Sequence, residues 1–122
     1  MSARLLVIAS CLCVLSACGG PHADAWNAIP EARRDAAEAS YVERCATCHG
    51  NTGRGNGPSA KGLNPQPTAF TTEWRDGTDP EWIDHVIHQG GRAMKISPSM
   101  PANKDLSPEQ CSDLRLFLMT LP

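Results

Sequence analysis

The stretch Tyr41-Val42-Glu43-Arg44-Cys45-Ala46-Thr47-Cys48-His49-Gly50 decides how the rest of the chain is read. Within it, Cys45, Cys48 and His49 form a C-x-x-C-H motif. Two thiols three positions apart stand on neighbouring sides of one helical turn. There they can add to two vinyl groups on one edge of a porphyrin, while the next residue brings an imidazole beneath the iron. The spacing is that of c-type haem attachment. Two other chemistries use paired cysteines. A thioredoxin-like site sets C-x-x-C in a βαβ unit, but no strand-like run precedes Cys45. A structural zinc site needs a second ligand pair at finger-like spacing, and His85 and His88 lie too far down the chain for that.

Outward from the motif, three segments read as helix. Asp35 to Thr47 is alanine-rich and free of Gly and Pro, with Ala37, Tyr41 and Cys45 on one face. Asp79-Pro80-Glu81 offers an N-cap followed by proline at the first helical position. The helix it starts carries Trp82, Ile83, Val86 and Ile87 to about Gln89, where Gly90-Gly91 ends it. Ser107-Pro108-Glu109-Gln110 repeats the start signal with capping-box spacing, and Leu114, Phe117, Leu118 and Leu121 give the last helix its apolar stripe. No regular element is evident between Gly50 and Gly77. Gly53-Arg54-Gly55-Asn56-Gly57 follows no strand and lacks the Gly-Lys-Ser/Thr ending of a phosphate loop, so it reads as a turn beneath the motif.

From Tyr41 through Gly50, and more loosely from Ala36 to Pro122, the sequence resembles a class I c-type cytochrome with one haem. That resemblance implies an all-α domain of three or more helices wrapped around one covalently attached haem c. It also implies a crossing of the first and last helices, to which Ala37 and Tyr41 on one side and Leu114 and Phe117 on the other correspond. Cys45 and Cys48 would attach the haem and His49 would be one axial ligand. A carbonyl near Pro58 would accept from the His49 Nδ1–H and fix the ring. Asn64-Pro65-Gln66-Pro67 would form a haem wall, and Phe70, Trp74 and Trp82 are candidates to pack on the porphyrin.

The family draws its sixth ligand from a loop nearer the C-terminus, where a methionine precedes a proline. Ser97-Pro98-Ser99-Met100-Pro101-Ala102 matches it, and the two prolines lower the entropic cost of holding the sulfur in place. Met100 is therefore the expected partner of His49 as iron ligand. Met94, His85 and His88 are the alternatives; Met119 reads as filler in the last helix. Cys111 is expected as a buried free thiol near the helix crossing.

The N-terminus reads as an address. Met1 to Arg4 is a short positive region, and Leu5 to Leu15 an apolar run of signal-peptide length. Leu15-Ser16-Ala17-Cys18 resembles the bacterial lipobox, which implies residues 1–17 as signal peptide and Cys18 as the lipidated first residue. An ordinary secretory signal cut near Ala17, or a retained N-terminal anchor, are the alternatives. Residues 18–34, with Gly19, Gly20, Pro21 and Pro30, read as a lipidated end and flexible linker, reaching roughly 20 Å as coil, unless Trp26 and Ile29 pack back on the domain. By the cytochrome resemblance, residues 35–122 would be the cytochrome c domain. Export implies an oxidising, extracytoplasmic compartment. The lipid would sit in the outer or inner membrane, and Gly19 slightly favours the outer one by resemblance.

The composition narrows the function. The chain has 122 residues, enough for one domain. Eleven basic residues stand against thirteen acidic ones, a net charge of −2, which supplies no cation excess for nucleic acid. No apolar run reaches the roughly 18 residues of a spanning helix. An iron held by protein on both sides has no place for a substrate. The expectation is therefore a one-electron carrier, not an enzyme, that meets redox donors and acceptors briefly at the haem edge. The alternatives are a haem-bearing relay subunit of a larger oxidoreductase complex, or an open-site haem enzyme or gas sensor. Lys61, Lys95 and Lys104 form no run in sequence, so the charge of the docking face is not readable from them.

Overall fold

The computed structural model describes residues 21–122. The expected signal peptide and the expected lipidation site, Cys18, lie outside the described residues. Among these residues there are six helices and no strand: α1 (Pro21–Ala28), α2 (Glu31–Arg44), α3 (Ala46–His49), α4 (Thr72–Gly77), α5 (Pro80–Ala93) and α6 (Pro108–Leu118). The all-α expectation holds.

The start signals work as local chemistry. Asp79 accepts the Trp82 N–H at 3.0 Å ahead of Pro80. Ser107 and Gln110 close both bonds of the capping box, at 3.2 and 2.8 Å. In α2 no side chain caps the first turn, which follows Pro30. Its Glu31 and Arg44 instead lie at the ends that the helix dipole favours.

The core is built where α2 crosses α6 and α5 backs them. Ala37 and Tyr41 on α2 and Leu114 on α6 are buried, and the Tyr41 and Phe117 rings lie 5.2 Å apart. Ile83 and Ile87 of α5 complete the cluster with Leu106, Leu118 and Leu121. Ion pairs tie the same helices at their edges, Arg33 on α2 reaching both Glu109 and Asp113 on α6. Arg33 on α2 donates to both carboxylate oxygens of Asp113 on α6, at 2.8 and 2.6 Å. Arg115 on α6 donates to Asp84 on α5 at 2.9 Å. Cys111 is a free thiol, 1% exposed, in the middle of this cluster, and burial pushes its pKa up.

Three expectations are corrected. First, residues 21–34 are not a flexible linker. Residues 21–28 form α1, and α2 begins at Glu31 rather than Asp35. A short helix is stabilised by what it packs on, and α1 places Trp26 against Phe117, ring centroids 5.6 Å apart. Second, the interval after Gly50 contains α4, which Thr71 starts by accepting the Trp74 N–H at 3.2 Å. Third, the helix of the motif is interrupted at Cys45, whose φ of −117° separates α2 from α3. The main run of α5 ends after Gln89 as expected: Gly90 (φ 79°, ψ 164°) breaks it, and a further short turn runs on to Ala93.

Candidate functional site

The motif occupies α3. Its break from α2 at Cys45 and its exit through Gly50 (φ 82°) make it a separate turn of helix. The following loop folds back on it: Gly55 N–H donates to the His49 carbonyl at 2.8 Å and Gly57 N–H to that of Cys48 at 3.0 Å. The glycine-rich segment therefore does serve as the turn beneath the motif.

His49 is held by ring contacts and one hydrogen bond. Its Nδ1 lies 3.0 Å from the Thr68 carbonyl oxygen. A carbonyl only accepts, so Nδ1 carries the proton and Nε2 keeps its lone pair. Phe70 stacks on the imidazole at 4.8 Å and 17°, and Trp74 backs Phe70 at 4.8 Å. Burial pushes the His49 pKa below its ordinary value, opposed by the bond to Thr68, so the ring is neutral, as a metal ligand must be. The carbonyl expected near Pro58 to accept from the His49 Nδ1–H is thus ten residues further on, at Thr68. Thr68 is presented by the Pro65–Pro67 stretch, and nothing in the local sequence marks its carbonyl for this role.

Beside α3 lies a cleft of about 280 Å³ that is partly open to solvent. Three segments line it: residues 44–49 with the motif, residues 63–68 with Pro65 and Pro67, and residues 96–103 with Met100. Cys45, Cys48, His49 and Met100 are therefore brought to one cavity from two ends of the domain. The Asn64–Pro67 stretch supplies a wall, as expected. Met94, at the end of α5, and His85 and His88, within it, are not among the lining residues. Nor are Phe70 and Trp74, which sit behind His49, or Trp82, which is 37% exposed on α5. Met119 is in the core cluster.

The donor set fits a c-type haem. Cys45 and Cys48 are free thiols, available for thioether bonds. Burial pushes Cys45 up to about 11, so it is protonated at neutral pH. The Nε2 of His49 is an imidazole donor with its proton on the other nitrogen. The Met100 thioether is a soft donor on the loop of the 96–103 wall. Asn103, 9% exposed on the same wall, was not singled out from the sequence; no motif draws attention to it.

The sequence segments that contain the lining residues carry charge of one sign. Residues 44–72 and 85–104, which contain every lining residue, carry Arg44, Arg54, Lys61, Arg92, Lys95 and Lys104 and no carboxylate. The remaining described residues carry all thirteen carboxylates and only four Arg or Lys. Arg44 is engaged with Asp105 at 2.9 and 2.7 Å; the other five cations of the cleft segments are exposed.

No curated protein and no solved structure matches the chain significantly. Over residues 32–118 it matches the family model described as cytochrome c oxidase, cbb3-type, subunit III. That span opens in α2 and closes at the end of α6, and so includes the whole cleft wall and the helix crossing. The chain belongs to this family of class I c-type cytochrome domains and carries a covalently bound haem c.

Proposed function

We propose that the protein is a one-electron carrier, tethered through Cys18 to a membrane on its extracytoplasmic face, in which His49 and Met100 hold the iron and Cys45 and Cys48 attach the haem. The observation that carries the reading is the convergence of these four side chains on one cleft. The haem supplies a reversible one-electron couple, and a His/Met pair raises its potential. The chain's own residues do the rest. The Thr68 carbonyl and the Phe70 ring fix the plane of His49, and Pro65 and Pro67 cover one side of the cavity. No carboxylate lines the cleft, so it offers no acidic group for proton transfer to a bound substrate. The basic character of the cleft segments supports a redox partner with an acidic docking face.

The start of α1 changes what the tether does. Only two residues separate Cys18 from Pro21, a span of about 10 Å at full extension. The domain is therefore held near the bilayer instead of swinging on a long coil. Among the described residues no helix is long and apolar enough to cross a membrane.

The test is optical. The haem-loaded protein should give low-spin ferric and ferrous spectra, a weak far-red sulfur-to-iron band that Met100→Ala abolishes, and little change in the ferrous spectrum on adding carbon monoxide. Rapid carbon monoxide binding by the unaltered protein would mean an open iron, as in an enzyme or sensor. Mass analysis of the membrane fraction tests the lipid: acylated Cys18 supports the tether, and an unmodified N-terminus refutes it.

A second reading, a relay subunit of a larger oxidoreductase, draws on the family description, which names an oxidase subunit. Purification from native membranes in mild detergent separates the two: a carrier elutes alone, a subunit with its complex.

A further inference from the structure

Helix α5 turns sharply at Gly90, where φ is 79° and ψ 164°. A helix interrupted this way leaves the carbonyls just before the break without their usual donors four residues on. Here the methionine loop supplies them. The Asn103 side-chain Nδ2 donates to the Ile87 carbonyl at 2.8 Å, and its backbone N–H donates to that of His88 at 3.2 Å. The Gly91 N–H, which an unbroken helix would direct at Ile87, donates instead to the Met100 carbonyl at 3.0 Å. The Gly91 carbonyl in turn accepts from Ile96 N–H and Ser97 N–H at 2.9 and 3.2 Å. The loop and the kink thus satisfy each other's backbone groups on both sides of Met100.

The contact is close enough to require the two glycines. A methyl at Gly90 would lie 2.7 Å from the Ala102 nitrogen. One at Gly91 would lie 2.5 Å from the Ser97 oxygen and 2.9 Å from the Met100 Cβ. Asn103 is the one side chain in this set of bonds. It stands three residues after Met100, is buried at 9% exposure, and lines the same cleft.

We propose that Asn103 is a positioning residue for Met100. Its amide ties the outgoing arm of the loop to the broken end of α5, so that the thioether is kept at the sixth position and the iron stays closed to outside ligands. The proposal rests on Met100 being the iron ligand. Gly91 fixes the Met100 backbone at one point; Asn103 supplies the second, which stops the loop pivoting about the first. Replacing Asn103 by leucine removes the donor at similar size and leaves the Ile87 carbonyl buried without a partner.

The test uses haem-loaded full-length protein. Asn103→Leu should weaken the far-red sulfur-to-iron band and raise the rate of carbon monoxide binding to the ferrous form about tenfold, the factor that loss of one buried hydrogen bond supports. Asn103→Gln, which keeps the amide one methylene further out, should shift both in the same direction by less, and serves if the leucine variant does not mature. Asp113→Ala, which breaks an ion pair at the α2–α6 contact, should lower Tm and leave both optical readouts unchanged. A normal band and a normal binding rate in both Asn103 variants would overturn the proposal. So would an Asp113→Ala variant that opened the iron in proportion to its loss of stability, since Asn103 would then act through stability alone. If the unaltered protein lacks a band that depends on Met100, the ligand reading falls and this one with it.

Discussion

The Tyr41 hydroxyl donates to the backbone carbonyl of Gly50 at 2.6 Å, joining the helix crossing to the residue that follows His49 of the C-x-x-C-H motif. Tyr41 is 1% exposed, so the carbonyl it serves has no water to replace it. Tyr41→Phe should lower stability by about 1–2 kcal/mol, the cost of orphaning a buried acceptor, as read from denaturant unfolding of the haem-loaded protein. The effect has a pH signature. Burial pushes the phenol from its ordinary value of 10.0 to about 12. The folded state favours the neutral form, so the contribution is complete below pH 10 and is lost as pH rises towards 12. The stability gap between the parent and Tyr41→Phe should narrow across that window. A gap that stays constant there would show that the phenol's surroundings do not resist ionisation.

The second tie across the crossing is ionic. Asp113, 5% exposed on α6, takes both hydrogen bonds from Arg33 on α2. Asp113→Ala removes the bidentate pair, leaves Arg33 its 2.9 Å contact with Glu109, and should lower Tm by a few degrees. Arg33→Met should cost more, because it leaves the Asp113 carboxylate, 5% exposed, without its partner, whereas the Arg33 left by Asp113→Ala is 37% exposed to water and still paired with Glu109. A double-mutant cycle measures the coupling. Additive effects of the two substitutions would remove the pair from the account of how α1 and α2 are held on α6.

What was legible in the sequence follows from where the information lies. The motif, the capped starts of α5 and α6 and the Ala37–Tyr41 face are written in neighbouring residues, and each is found where local chemistry puts it. Helix α1 was not legible because its sequence, PHADAWNA, has one large side chain, and that side chain packs on a residue far along the chain, Phe117. Helix α4 is six residues long and rests on a single Thr71 cap. At the site the cysteines, the histidine and the methionine announce themselves by type and spacing. The Thr68 carbonyl and the Asn103 amide do not: one is a backbone atom and the other a common polar side chain, and each gains its role from a contact made only when the chain has folded. The basic character of the cleft is of the same kind, since its lysines are far apart in sequence.

Glycine content also divides by place. Gly91→Ala sets a methyl 2.9 Å from the Met100 Cβ and 2.5 Å from the Ser97 oxygen. It should displace the loop, with loss of the far-red band and ready carbon monoxide binding. Gly62 has φ +83° but nothing within 4 Å of the added methyl. Gly62→Ala should cost about 1–2 kcal/mol for the left-handed backbone alone and leave the iron's spectrum intact. If the two substitutions perturb the spectrum alike, the loop tolerates displacement at Gly91 and its close packing does not set the coordination.

The charge distribution yields the last prediction, because it opposes the net charge. The whole chain carries −2, and a uniform sphere of that sign would repel an anionic oxidant. The cleft segments, however, contain no carboxylate, and Lys61, Lys95 and Lys104 each stand within two residues of the cleft wall. Of the neighbouring acids, Asp105 is engaged by Arg44 and Glu43 remains. Electron transfer to ferricyanide, an anion, should therefore slow as salt is added, by about tenfold from low ionic strength to where screening is complete. Transfer to a cationic cobalt phenanthroline complex should not slow. Reversing Lys61, Lys95 and Lys104 to glutamate should invert the order of the two reagents, with Tm unchanged because all three side chains are exposed. A ferricyanide rate that rises with salt in the parent protein would show that the net charge governs the encounter, and that the partner is not selected by an acidic face.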